Sequence, residues 1–300
     1  MRRQSPNKKR KRNSLSIFRV SLFVFFIIAF SGAVLTQTQA IKIKTQKNDL
    51  QSKISEIENN NSSTKKEIDS LTQNIAALKS EVAKKDESSK IAYLTFDDGP
   101  SNNTLEILRI LKQYNVKATF FVNGKPELKH LYKAIADDGH ALANHTYSHD
   151  YNTIYSSEKV FHDDVKKLDT FLQEITGQAP SYVLRYPGGS NNTISYNYGG
   201  KGIMKKVLKE MSSEYQFFDW NVDSTDASTF KQSKDKIVSN VLKESTGLKK
   251  AVILMHDLNP KTTTPEALPE IIEGLKAQGF EFDKLEKDSF APQFTKVPKN

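Results

Sequence analysis

The sequence predicts an α/β fold on a parallel sheet, closed into a barrel or, as the alternative, open and doubly wound. Three observations carry this. Beyond residue 90, short β-rich runs alternate with helical patterns over about 200 residues, an arrangement that calls for parallel pairing with right-handed crossovers. Interior runs such as ATFFV and AVILM are apolar throughout, as strands covered on both faces are. The side chains able to do chemistry follow the strands, and in a parallel barrel the carboxyl ends of the strands form the face that holds active sites.

The elements in chain order begin with a basic tail over residues 1–16. Of the net charge of +9, seven positive residues (Arg2, Arg3, Lys8, Lys9, Arg10, Lys11 and Arg12) sit here, leaving about +2 for everything else. A nucleic-acid-binding reading loses its basis, because the excess charge is a tail and not a patch on a folded surface. Residues 17–41 follow, with Val20 to Ile41 free of charge and opening on VSLFVFFIIAFSGAVL, the ~20 apolar residues that a bilayer span requires. Either this is a retained transmembrane anchor, or TQA ending at Ala40 is the cleavage site of a signal peptide. Both readings put the bulk of the chain outside the membrane, opposite the positive tail, as a single-pass or a secreted protein.

Residues 42–89 carry a heptad repeat. One seam position holds Ile54, Ile68, Ile75 and Val82 and the other Leu50, Ile57, Leu71 and Leu78, a β-branched and leucine division that favours a parallel homodimer. Asn61 falls on the first seam, where a polar residue fixes register. The competing reading, prompted by NNNSSTKK at the centre, is a polar helix lying on its own domain or a partly disordered linker. As forty helical residues at 1.5 Å each, a stalk would reach roughly 60 Å.

From residue 90 the candidate strands are Ile91 to Phe96, Lys117 to Val122, His140 to Ala143, Tyr182 to Tyr186, Phe217 to Val222, Ala251 to Met255 and Glu281 to Asp283. Helical periodicity falls near Thr104 to Gln113, Glu127 to Asp138, Glu158 to Thr176, Lys201 to Met211, Lys231 to Lys243 and Pro265 to Gln278. The chain has no cysteine, so disulfides, thiolate metal sites and cysteine nucleophiles are excluded, and any metal must be held by His, Asp or Glu.

After the strands come Asp97 and Asp98, NHTYSH (Asn144 to His149), RYPGGSNN (Arg185 to Asn192), DSTD (Asp223 to Asp226) and His256 with Asp257. His145 and His149 are four apart, so one helical turn brings both imidazoles to one side. With a carboxylate from the first strand end they make three ligands and leave a fourth position for water, the pattern of a catalytic zinc site. Beside a cation the repulsion between Asp97 and Asp98 is offset, so one carboxylate can bind metal while its neighbour takes a proton. The plainer reading of DDGP is a strand-terminating turn.

Five motifs in order, TFDDGP, HTYSH, RYPGG, DSTD and ILMH, make the chain from Ile91 to Leu285 resemble the carbohydrate esterase family 4 polysaccharide deacetylases, the NodB-homology domain. Within that family it is most similar to membrane-anchored peptidoglycan N-acetylglucosamine deacetylases. The resemblance implies a distorted (β/α)7-type barrel over residues 90–300. It also implies hydrolysis of N-acetyl groups from the N-acetylglucosamine of cell-wall peptidoglycan, with release of acetate. MurNAc, chitooligosaccharide, poly-N-acetylglucosamine or xylan are the alternative substrates, and a catalytically silent wall-binding protein is the alternative of another class. Carried over by position, Asp98, His145 and His149 hold a divalent metal, Zn2+ first, with Co2+, Mn2+ or Ni2+ as substitutes. Asp97 is the general base, and Arg185 pairs with it and depresses its pKa. His256 is the general acid, tuned by Asp226. Gly188 donates its backbone N–H to the oxyanion, and Leu254 lines a pocket for the acetyl methyl. The chain departs from the family pattern at Gly188, where many members have tyrosine and a wall of the groove is expected to be missing, and at Ala227, where tryptophan is usual.

Overall fold

A computed structural model describes the backbone of residues 7–297 and the side chains of 19–78 and 89–297. The charges of the tail expected over 1–16, and the Val82 side chain of the heptad, lie outside the described residues. The chain divides into two units, Met1–Lys84 and Lys85–Asn300. In the first, helix α1 (Asn7–Ser88) runs without interruption, through NNNSSTKK as well. Its stretch Arg19–Leu78 contains a span long and apolar enough to cross a membrane. Farther along the same helix Leu50, Ile54, Ile57, Ile68, Leu71, Ile75 and Leu78 are 52–60% exposed, so among the described residues the heptad seam is an exposed apolar stripe.

The second unit alternates as expected. In order it comprises β1 (Lys90–Gly99), α2 (Thr104–Gln113), β2 (Thr119–Val122), α3 (Lys129–Asp137), β3 (Ala141–Asn144), α4 (Tyr151–Ile154), α5 (Glu158–Thr176) and β4 (Val183–Leu184). It continues with α6 (Tyr196–Gly199), α7 (Ile203–Met211), β5 (Gln216–Phe217), β6 (Val222–Asp223), α8 (Lys234–Glu244), β7 (Lys250–His256), α9 (Thr263–Ala277) and β8 (Phe280–Phe282). The strands form one curled sheet in the order β5-β4-β3-β2-β1-β7-β6, with β8 also pairing β1, and every pairing is parallel. Local chemistry sets the boundaries where it is strong. The Ser157 side chain accepts from Val160 N–H to open α5, and Gly177, at φ 69°, closes it in the left-handed conformation that costs glycine least.

Period-two alternation sorts the strand residues into two cores. Leu94, Phe96, Phe120, Ile253 and Met255 face Ile107, Leu111, Leu268 and Ile271 of the outer helices. Tyr93, Phe121, Ala143, Val183, Phe218 and Val252 fill the inside of the curl. Asp97 continues the inward series that Tyr93 begins, with Thr95 between them, and so reaches the inner face at the carboxyl end of the central strand.

The single strand expected from Phe217 to Val222 is two. β5 pairs with β4, β6 pairs with β7, and they are the opposite edges of the sheet, so the break over 218–221 is where the curl fails to close. A broken strand frees carbonyls that must find donors. Arg185, which is 0% exposed, supplies them: Nε donates to Phe218 O at 3.0 Å and Nη2 to Asp219 O at 3.0 Å. Its Nη1 donates to Thr95 Oγ1 at 2.7 Å and Asp97 Oδ1 at 2.8 Å, and the guanidinium lies 4.1 Å from the Phe121 ring centroid. Replacing Arg185 by methionine leaves these acceptors and a buried carboxylate unpaired together. Denaturant unfolding of Arg185→Met is expected to show a loss of about 3–5 kcal/mol, the cost of breaking a buried ion pair from one side.

Candidate active site

In a regular strand neighbouring side chains point to opposite faces, so Asp97 and Asp98 should diverge. They do not, because the β1–β2 register shifts between Asp97 and Gly99, and Asp98 sits at φ 69°. This bulge turns the second carboxylate to the side of the first. Lys125 clamps it, its Nζ donating to the backbone carbonyls of Asp98 at 2.6 Å and Pro100 at 2.9 Å.

His145 and His149 come together, with ring centroids 5.1 Å apart, but the segment between them is not the helical turn that their spacing suggested. It is a bent loop with Thr146 at φ 70° and His149 at φ 50°. Its polar backbone is met by side chains. Asp164 Oδ1 accepts from Tyr147 N–H at 2.6 Å and Ser148 N–H at 3.0 Å, while Asn123 Nδ2 donates to His145 O at 2.8 Å and Thr146 O at 3.1 Å.

Asp98, His145 and His149 offer one ligand atom each, all within 4.8 Å of one another. Their chemistry fits a cation. His145 Nδ1 donates to Arg185 O at 2.8 Å, which fixes the tautomer and leaves a lone pair on Nε2. Burial pushes this imidazole down to about 3, so it is neutral at any working pH. Asp98 Oδ1 is buried without a hydrogen-bond partner, 3.5 Å from His145 Nε2 and 3.2 Å from His149 Nε2. An orphaned carboxylate oxygen facing imidazole nitrogens is unfavourable until a positive ion sits among them.

Asp97 stands beside this group, its Oδ2 3.7 Å from His145 Nε2. Burial is the larger influence on its carboxyl and pushes it above the ordinary value; Arg185 pulls the other way, as expected of it, and is outweighed. Across the sheet Asp97 and His256 are register partners in β1 and β7. His256 Nδ1 donates to Asp226 Oδ1 at 2.7 Å, and its backbone N–H donates to Asp226 Oδ2 at 2.8 Å. Burial alone would lower this imidazole, but the hydrogen bond and charge of Asp226, with Asp97 and Asp98 behind, raise it to about 9. Leu254, two residues before His256 in β7, is buried and pairs in register with Asp223.

Comparison with known proteins gives a family and a set of relatives. The polysaccharide deacetylase family model matches residues 84–201. A peptidoglycan-N-acetylglucosamine deacetylase of Bacillus cereus is 34% identical over 209 residues, 68% of this chain and 72% of that one. The chain belongs to the polysaccharide deacetylase family. Among solved structures, the catalytic domain of the peptidoglycan N-acetylglucosamine deacetylase from Eubacterium rectale superposes with a TM-score of 0.66 at 37% identity, covering 71% of this chain and 95% of that domain. The polysaccharide deacetylase Bc1974 from Bacillus cereus superposes at 0.58 with 33% identity, covering 68% and 96%.

Two departures of this polysaccharide deacetylase from the family pattern now have a local reading. Gly188 is at φ 79°, and a Cβ there would meet Tyr151 Oη at 2.6 Å, so the space beside Gly188 is taken by the tyrosine that opens α4. Tyr151 packs on His149 with ring centroids 5.6 Å apart. At the other departure, Ala227, the carboxylate of Asp226 keeps a second side-chain donor in Thr264, whose Oγ1 donates to Oδ2 at 2.9 Å. Lys125, Asp164, Tyr151 and Thr264 each bond or pack against the segments that carry Asp98, His145, His149 and Asp226, and the sequence marked none of them. Only Tyr151, two residues beyond the motif, stood near enough to a signal to be found.

Proposed function

We propose that this chain hydrolyses the N-acetyl group of N-acetylglucosamine residues in cell-wall peptidoglycan, releasing acetate and a free amine. The observation that carries the reading is the convergence of Asp98, His145 and His149 on one point, with Asp97 and His256 on flanking strands. Two imidazoles and one carboxylate suit Zn2+ and, less selectively, Co2+, Mn2+ or Ni2+. Such an ion, when bound, supplies a Lewis acid for the acetamide carbonyl, lowers the pKa of water toward 7, and adds positive charge that favours ionised Asp97.

The chain's own residues divide the proton work. Asp97, held by Arg185, takes the proton of the attacking water. The developing oxyanion receives the Gly188 N–H, a donor of the kind worth about 3–4 kcal/mol. Protonated His256, oriented through Nδ1 by Asp226, gives a proton to the departing amine from Nε2. Leu254 presents an apolar surface to the acetyl methyl. The relatives named as peptidoglycan-N-acetylglucosamine deacetylases support this substrate over other acetylated glycans.

For the first unit we propose that the apolar span of α1 anchors the protein in the membrane, with residues 1–16 on the cytoplasmic side. Residues 42–89 then form a two-chain parallel stalk, and residues 90–300 act outside on the glycan. Acetate and free amines released from purified peptidoglycan by the full chain, with and without chelator, test the catalytic reading. Release that chelator abolishes supports it, and no release at saturating zinc contradicts it.

His256 must be protonated to act, so turnover is expected to fall as pH rises through about 9. Asp226→Asn removes the partner that raises the imidazole and is expected to bring this basic limb down toward the ordinary 6.5 in a kcat against pH profile. Because the folded value lies above the unfolded one, the pair also adds to stability. That contribution is complete below pH 6.5 and fades as pH rises to about 9.

A further inference from the structure

The turn that carries the proposed oxyanion donor is held from behind by two side chains with no part in the mechanism above. Tyr186 to Gly189 form a β-turn closed by Gly189 N–H donating to Tyr186 O at 2.8 Å. Proline at its second position and glycine at φ 79° at its third make it type II. Type I differs from type II by rotation of one unit, the peptide between Pro187 and Gly188, and glycine tolerates both forms. The turn sequence therefore leaves the direction of that peptide open.

Side chains fix it. The Pro187 carbonyl accepts from Tyr155 Oη at 2.7 Å and from Asn192 Nδ2 at 3.0 Å. Tyr155 is fully buried and stacks on Phe161 with centroids 5.6 Å apart. Asn192 is oriented by its other end, where Oδ1 accepts from Ile194 N–H at 2.8 Å, so its amide presents Nδ2 to the carbonyl. The peptide is trans and planar, and its C=O and N–H point in opposite directions. Pro187 is buried while Gly188 is exposed, and among the described residues the Gly188 N–H has no hydrogen-bond partner.

We infer that Tyr155 and Asn192 are positioning residues that lock the Pro187–Gly188 peptide with its N–H turned out of the protein, toward the reacting carbonyl. The inference rests on the reading of Gly188 as the oxyanion donor. Without the two locks the peptide turns over, and a carbonyl oxygen, which repels a developing negative charge, replaces the donor.

The test compares wild type, Tyr155→Phe, Asn192→Ala and the double variant as full chains, with Tyr186→Phe as control. The Tyr186 hydroxyl is buried without a partner in the same turn, so this control removes a buried hydroxyl and no hydrogen bond. The readouts are kcat and KM for acetate release from an N-acetylglucosamine oligomer, zinc affinity, and melting temperature. Losing one such donor costs ~10²–10³ in kcat, so about a 10-fold fall is expected for each single variant and about 10²-fold for the double. KM and zinc affinity are expected to stay within about twofold, because the lock acts only on the transition state, and Tyr186→Phe is expected to keep wild-type kcat. Wild-type kcat in the double variant overturns the inference. So does an equal fall in Tyr186→Phe, or a loss that appears in KM or zinc affinity instead of kcat. A wild type that releases no acetate overturns the oxyanion reading and the lock with it, and is seen before any variant is compared.

Discussion

Asp98→Ala is expected to lose bound zinc and acetate release together, and His145→Ala to do the same. Among the described residues these two and His149 are the group whose donor atoms all lie within 4.8 Å of one another, and either substitution leaves two of the three. A Lewis acid contributes several kcal/mol to such a transition state, and at 1.36 kcal/mol per decade its loss corresponds to ~10³-fold or more in rate. Stability should move the other way for Asp98→Ala in metal-free protein. The substitution deletes a buried carboxylate oxygen that has no hydrogen-bond partner, so the apo form is expected to melt no lower than wild type. Zinc content by mass spectrometry, acetate release and apo melting temperature read the three effects separately. A variant that keeps zinc and loses activity would assign Asp98 a different role.

Asp97→Asn separates the base from the ligands. The amide keeps the shape and can still accept from Arg185 Nη1, now 2.8 Å from Asp97 Oδ1, but it cannot take a proton. Loss of a general base costs ~10²–10⁴ in rate. The expected result is a fall of that size in kcat with zinc affinity unchanged. An uncompensated Arg185 charge is left in the interior, so the melting temperature should drop as well. Full activity in Asp97→Asn would remove the base from the mechanism.

The sequence exposed the parts of this molecule that are settled locally. Helices α2 and α5 fall on the residues that apolar periodicity marks, and in α5 Ser157 and Gly177 cap the ends by chemistry readable within two turns. The apolar strands β2 and β7 were equally plain. What escaped was settled at a distance. The split of the expected strand at Phe217 to Val222 depends on Arg185, more than thirty residues upstream, accepting the task of hydrogen-bonding Phe218 O and Asp219 O. The spacing of His145 and His149 permits a helical turn, and only Asp164 and Asn123, from other elements, impose the bent loop instead. That Asp97 and Asp98 point the same way follows from a register shift and a left-handed aspartate, which no spacing rule reports. The space beside Gly188 reads as a gap in the sequence because the residue that fills it, Tyr151, belongs to another element, α4. Two of the five motifs carry Asp98, His145 and His149, whose donor atoms the fold brings within 4.8 Å of one another.

Zinc X-ray absorption on the full chain, loaded to saturation, addresses the shared site without reference to turnover. One zinc per chain, bound by two imidazole nitrogens and a carboxylate oxygen and missing from His149→Ala, is the expected result. Zinc held by other ligands, or no zinc retained at saturating concentration, would contradict the convergence of Asp98, His145 and His149 on a single ion.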